Sequence, residues 1–158
     1  TRISRTDIIR KDTDLMGIVR DACDELAPLA KAKGIRLMAS GKKTIAPADA
    51  QLMAIAVKNL VSNAIKFTEK GRVSARAYKS GKNAIIVVSD TGIGISRENQ
   101  RRLFKNFFKV DETKVGTGIG LVGVKGIMLK HKGSISVKSA LGKGSIFTLK
   151  LPLGWQRP

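Results

Sequence analysis

Apolar residues return at helical spacing early in the chain. Leu15, Val19, Ala22, Leu26 and Ala30 fall on one face, which predicts an amphipathic helix over residues 14–33, ending before Gly34. Pro28 counts against it, because an interior proline removes a backbone hydrogen bond. The run IRLMA (35–39) reads as a short strand. A second helical pattern opens near Asp49, carries Leu52, Ile55, Ala56, Leu60, Ala64 and Phe67, and extends to Gly71. The period then changes to two. RVSARAY (72–78) alternates, SGKN makes a turn, and AIIVVSD (84–90) is the apolar run of a buried strand. Ser96 is placed to cap a helix with Glu98 in its first turn. A further helix is expected over about 119–130, and SISVKS with GSIFTLKLP closes the chain as a hairpin. Helices alternating with antiparallel strands predict an α+β two-layer sandwich.

Length and composition fit one domain with a real core: 158 residues, 42% apolar and 27% charged. No apolar run approaches the roughly 18 residues of a membrane helix. There is no signal peptide, and a chain starting at Thr1 is expected to be excised from a longer protein. Cys23 is the sole cysteine, which rules out an internal disulfide and favours a reducing compartment; its place in a helical apolar pattern makes it a small core residue.

Charge changes the picture more. Thirty Lys and Arg against twelve Asp and Glu give +18, and no acidic residue follows Glu112. Such an imbalance favours polyanionic partners (nucleotides, nucleic acid or an acidic protein face) or, equally, a solvated lysine-rich surface. Nucleic acid is not an expected partner, because few aromatics are available for stacking and no binding-module motif occurs.

The stretch VGTGIGLVG (115–123) holds glycines at the spacing of a dinucleotide-binding fingerprint. The context excludes that fold. KVDETKV, which precedes the first glycine, is a charged loop rather than a buried strand. Nothing acidic lies downstream to hold a ribose, and only 35 residues follow Gly123.

Four pieces carry chemistry together. In NLVSNAIKFT (59–68), Asn59 and Asn63 lie one helical turn apart, with Lys66 a turn further. Amide oxygens can ligate Mg²⁺ and an ammonium can neutralise phosphate; taken alone, the pair reads as capping or solvated asparagines. In DTGIGIS (90–96), a carboxylate at a strand end followed by glycines suits a pocket for a flat ligand, where Asp90 could accept from an exocyclic amine such as adenine's. A plain strand–turn–helix junction is the alternative. Gly116, Gly118 and Gly120 lead into a helix whose N-terminus makes an anion site. GKGSIF (142–147) places a glycine pair between the final strands, which by itself is a turn.

In this order and spacing the pieces resemble the ATP-binding catalytic domain of sensor histidine kinases, in the GHKL ATPase superfamily. NLVSNAIKFT matches the asparagine box and DTGIGI the first glycine box. LFKNFFKVD matches the phenylalanine box, GTGIGL the second glycine box and GKGSIFTLKLP the last motif. AKGIRL and ADAQLMAIAVKNL are similar to family phrases, with Asp49 at a usual aspartate position. The resemblance covers residues 7–152, leaving 1–6 as the end of a preceding hairpin helix or linker and 153–158 as a tail.

The resemblance implies a Bergerat fold, a mixed and mostly antiparallel sheet covered on one face by three helices, with ATP under a lid. It implies Mg²⁺ on Asn63 with Asn59 in support, and phosphates met by Lys66 and Arg102. It further implies adenine on Asp90 with Gly92, Gly94 and Ser145 about it, and Gly116, Gly118, Gly120 and Leu121 around the phosphates. Asn59, Lys66 and Arg102 would be the catalytic set. ATPase members of the superfamily carry glutamate where Asn59 stands; an amide cannot deprotonate water, so slow hydrolysis is expected and the phosphoryl group would go to a histidine on a separate dimerisation hairpin.

The only histidine here, His131, falls in LKHKGS, after the fourth helix of the family pattern, and is expected to be structural. This stretch should therefore bind ATP without autophosphorylating. Implied partners are that hairpin and a response-regulator receiver domain, with no membrane contact and a cytoplasmic location. Only ETKV separates KVD from the second glycine box, a shorter lid than usual, and HKG stands where the family has HGG. The alternative is a degenerate nucleotide-binding or regulatory module without phosphotransfer.

Overall fold

The computed structural model describes residues 8–104 and 120–154. After a short strand β1 (Lys11–Asp14), helix α1 occupies Leu15–Lys33. Asp14 caps it: Oδ1 accepts from Met16 N–H at 3.1 Å and from Thr44 N–H at 2.9 Å. Gly34 ends it with φ 73° in the left-handed region, which glycine adopts without steric cost. Pro28 lies on the exposed side of an unbroken helix. The carbonyl that loses its partner there belongs to Asp24, an exposed residue, which is where a proline is tolerated.

Strand β2 (Arg36–Ser40), strand β3 (Ile45–Ala48) and helix α2 (Ala50–Lys66) follow, then β4 (Arg72–Ser80) and β5 (Asn83–Asp90). A single turn α3 (Arg97–Gln100), helix α4 (Gly120–Lys130) and the hairpin β6 (Ser134–Ala140) and β7 (Gly144–Pro152) complete the described chain. The main sheet has the order β2-β4-β5-β7-β6; β2 and β4 are parallel and the other neighbours antiparallel. Strands β1 and β3 form a separate antiparallel pair over four rungs.

Alternation decides which face is covered. Val73, Ala75 and Ala77 of β4, Ile86 and Val88 of β5, and Leu149 and Leu151 of β7 are buried with the apolar faces of α1, α2 and α4. The sheet is thus mixed and layered by the three longer helices, an α+β sandwich. Its outer face carries exposed Arg36, Arg72, Arg76, Lys138 and Lys150, and none of the described acidic residues sits on it. These five cations make it a positive face, with Arg76 lying 4.8 Å from the Tyr78 ring centroid.

Helix α2 stops short of Gly71. Its last carbonyls are taken from outside: Lys33 Nζ donates to Ile65 O at 2.8 Å and to Lys66 O at 3.0 Å, and Ile93 N–H donates to Phe67 O at 3.1 Å. A cation at a helix C-terminus also meets the negative end of the dipole. Lys33→Met, which keeps the apolar stem, should therefore destabilise the fold by about 1–2 kcal/mol in a denaturant titration.

His131 is 2% exposed and its ring joins two elements. Nε2 accepts from Asp49 N–H at 3.0 Å, so Nδ1, 2.8 Å from Ile127 O, carries the proton and donates. This is the structural role expected for it. Burial lowers its pKa below the ordinary imidazole value of 6.5, outweighing the opposing hydrogen bond to Ile127. The unfolded chain then takes up the proton more readily than the fold does. The histidine's contribution is complete above about pH 6.5 and declines as pH falls below it. Thermal melts from pH 8 to pH 5 should show that slope, and His131→Phe should flatten it.

Candidate functional site

The C-terminal ends of α2 and β5 converge, and the chain between β5 and α3 is fastened across them. Spacing by four puts Asn59 and Asn63 on one side of α2; Asn63 Nδ2 donates to Asn59 Oδ1 at 3.1 Å. That bond commits the amide nitrogen of Asn63, leaving its Oδ1 as the oxygen turned to other partners. Asn59 is buried and Asn63 and Lys66 are half-buried.

Strand β5 delivers Asp90, 9% exposed, at its end. Asp90 Oδ1 accepts from Gly92 N–H at 2.9 Å. Burial raises the carboxyl's pKa, and hydrogen bonds from the backbone N–H groups of Gly92 and Ser145 oppose the rise. The opposition matters because it favours the ionised acceptor in a largely apolar surrounding.

Residues 91–96 are held on both sides. Besides the Ile93 bond to Phe67 O, Gly142 N–H donates to Ile93 O at 2.7 Å and Ile95 N–H to Ser139 Oγ at 2.8 Å. Both glycines of the first glycine box are required by close approach. A Cβ at Gly92 would overlap the Phe67 carbonyl, and one at Gly94 (φ +72°) the Ala140 carbonyl.

Between these elements lies a cavity lined by Leu60, Asn63, Ala64, Phe67, Asp90, Ile93, Gly94, Ile95, Leu103, Leu121, Ser145 and Phe147. Its empty space is about 480 Å³, including the part open to solvent. Apolar walls with Asp90, Ser145 and Asn63 as the polar side chains suit a flat heteroaromatic ring bearing an amine on one edge.

Asn63, Asp90, Gly94, Leu121 and Ser145, all expected at the site, therefore share one cavity. Asn59 stands behind Asn63, and Gly92 bonds Asp90 from beside it. Lys66 and Arg102 do not line it: Lys66 ends α2, and exposed Arg102 adjoins the lining residue Leu103. Gly120 opens α4 at φ +67°. Gly116, Gly118, the phenylalanine box from residue 105 and the shortened lid lie outside the described residues, as do residues 1–6.

Several wall residues have no counterpart in the expected set. Alternation in GSIFTLKLP puts Phe147 on the same side as Ser145 and would have found it. Ile93 and Ile95 sit within DTGIGIS, where only the aspartate and glycines carry a pattern that points to a site. Ser139 and Gln100, which fasten the loop, leave no pattern in the sequence: the β6–β7 register brings Ser139 there and the turn α3 brings Gln100.

Residues 48–154 match the family model for "Histidine kinase-, DNA gyrase B-, and HSP90-like ATPase". The sensor histidine kinase RppB of Synechocystis sp. is 40% identical over 147 residues, 88% of this chain and 32% of that protein. The sensor-like histidine kinase SenX3 of Mycolicibacterium smegmatis is 45% identical over 109 residues, 66% of this chain and 28% of that protein. The chain thus spans about a third of the length of these curated relatives. Among solved structures, full-length ShkA in complex with AMPPNP superposes with TM-score 0.85 at 27% identity, over 98% of this chain and 33% of that one. The catalytic domain of the histidine kinase ThkA, in a nucleotide-free form, matches with TM-score 0.79 at 22% identity over 91% of this chain and 95% of its own, a likeness of fold.

Proposed function

Because the chain belongs to the family of histidine kinase-, DNA gyrase B- and HSP90-like ATPases, we propose that it is the ATP-binding catalytic domain of a two-component sensor histidine kinase. It holds Mg-ATP and donates the γ-phosphoryl group to a histidine on a dimerisation hairpin elsewhere in the parent protein. The domain would occupy residues 7–152, with 1–6 as linker or hairpin end and 153–158 as tail. The observation that carries the reading is the convergence of Asp90, Ser145 and Asn63 on one apolar cavity.

Adenine enters that cavity with its amine on Asp90, between Ile93, Ile95 and Phe147. The phosphates then run toward Asn63, Lys66 and Arg102, and the family resemblance gives Gly116, Gly118 and Gly120 the role of wrapping them. Among the described residues no cluster of three or more His, Cys, Asp or Glu could hold a metal ion by itself. Mg²⁺ keeps water and phosphate oxygens as most of its ligands and needs one or two oxygens from protein. Asn63 Oδ1 is placed for that role, with Asn59 orienting the amide through the 3.1 Å bond. When bound, Mg²⁺ would neutralise charge on the phosphates.

This chain's own part is to fix the base, orient the triphosphate and meet its charge with Lys66 and Arg102. Neither Asn59 nor Asn63 can take a proton from water, so hydrolysis is slow and the group waits for its acceptor. The buried His131, with both ring nitrogens bonded, is not that acceptor. A receiver domain would take the phosphoryl group next. No helix among the described residues is long and apolar enough to cross a membrane.

The test is to supply the parent's hairpin in trans with γ-labelled ATP. Acid-labile phosphohistidine on the hairpin, and none on this chain, is the expected result. ADP binding without labelling of any hairpin, the native one included, would instead mark a nucleotide-binding regulatory module.

A further inference from the structure

We propose that Ser139, which does not line the cavity, is a positioning residue that makes the base site selective for an amine over a carbonyl; this rests on the adenine reading above. Ser139 lies on the edge strand β6, opposite Ser145 on β7. Its hydroxyl oxygen has three partners, each at 2.8 Å: Ile95 N–H, Gly144 O and Ser145 Oγ.

With the Ser139 proton assigned to Gly144 O, proton counting sets the other roles. Ile95 N–H can only donate and Gly144 O can only accept. Ser139 has one proton, and with that proton on Gly144 O it must accept from the Ser145 hydroxyl. Ser145 then presents only lone pairs to the cavity. With the Asp90 carboxyl beside it, whose Oδ1 already accepts from Gly92 N–H, the polar edge of the cavity is one of acceptors. Such an edge takes the amine of adenine and leaves the carbonyl oxygen of a 6-oxopurine without a donor.

Gln100 secures the node from the other side. Its Nε2 donates to Ile95 O at 2.7 Å and to Ser139 O at 2.9 Å. Ser139 and Gln100 thereby hold residues 91–96 against the turn between β6 and β7. The Ser139 hydroxyl also keeps the Ser145 proton turned away from the ligand.

The experiment compares ADP with inosine diphosphate, which replaces the amine by a carbonyl and keeps the same phosphates, by calorimetric titration at moderate salt. In Ser139→Ala, Ile95 N–H and Gly144 O lose a partner and the Ser145 proton is released toward the cavity. ADP affinity should fall by about tenfold, and the preference for ADP over inosine diphosphate should narrow by a similar factor. Ser139→Thr keeps the hydroxyl and should restore the preference to within about threefold of the native value. Should Ser139→Ala not fold, Gln100→Ala carries the test, with a narrowing of about threefold expected.

A lower melting temperature with unchanged ADP affinity and preference, or equal weakening of both nucleotides, would overturn the proposal and leave Ser139 a structural residue. A native protein that binds both nucleotides equally would instead overturn the adenine reading, and this proposal with it.

Discussion

Asp90→Asn is expected to weaken ADP binding by about a hundredfold, with little change in melting temperature. The reason lies in the count of donors around the carboxylate. Asp90 already accepts from Gly92 N–H at 2.9 Å, and the Ser145 N–H also pulls its pKa down. An asparagine in its place must turn its oxygen to those backbone donors, so its NH₂ would meet the adenine amine donor to donor. The substitution is nearly isosteric, so the packing around Ile93, Ile95 and Phe147 survives. Calorimetry of native and variant proteins with ADP and Mg²⁺ reads the difference. Moderate salt is needed, because a chain of net charge +18 attracts any polyphosphate.

Asn63→Ala should have the larger effect on chemistry and a small one on the base. Phosphoryl transfer to the hairpin should drop at least about a hundredfold, since the amide oxygen proposed for Mg²⁺ is lost. ADP affinity in EDTA should change only a few-fold, because Asp90, Ser145 and the apolar walls remain. Loss of the 3.1 Å bond also takes from Asn59 Oδ1 its Asn63 donor, so a melt must accompany the assay. Equal loss of EDTA and Mg²⁺ binding would place Asn63 in base recognition instead.

How far the sequence carried these conclusions depends on the kind of order involved. Helices α1 and α2 and strands β4 and β7 were legible because each buries one regular face, which periodicity records directly, and β5 because its unbroken apolar run marks a strand buried on both sides. Strands β1 and β3 were not. In KDTD only Thr13 is buried, with Oγ1 bonded to Lys11 O and Ala48 O, and IAPA contains Pro47, which argues against a strand. Their pairing is tertiary, so no local pattern announces it.

The site divides the same way. Asp90, Gly92, Gly94, Asn63 and Ser145 stood out because function or close backbone approach demands those residue types. Ser139, Gln100 and Lys33 are ordinary polar residues whose importance arises only from the partners the fold brings to them. Helix α2 ends before Gly71 for that reason: the carbonyls at its end are claimed by Lys33 Nζ and Ile93 N–H.

The most direct measurement uses adenosine itself, which has no phosphate for the positive surface to attract. Titrated into the ¹⁵N-labelled protein, it should shift the amide signals of Gly92, Ile93, Ile95 and Ser145 along saturable curves, with uridine leaving them in place. Adenosine that left those amides unmoved, or uridine that shifted them equally, would contradict an adenine pocket at Asp90.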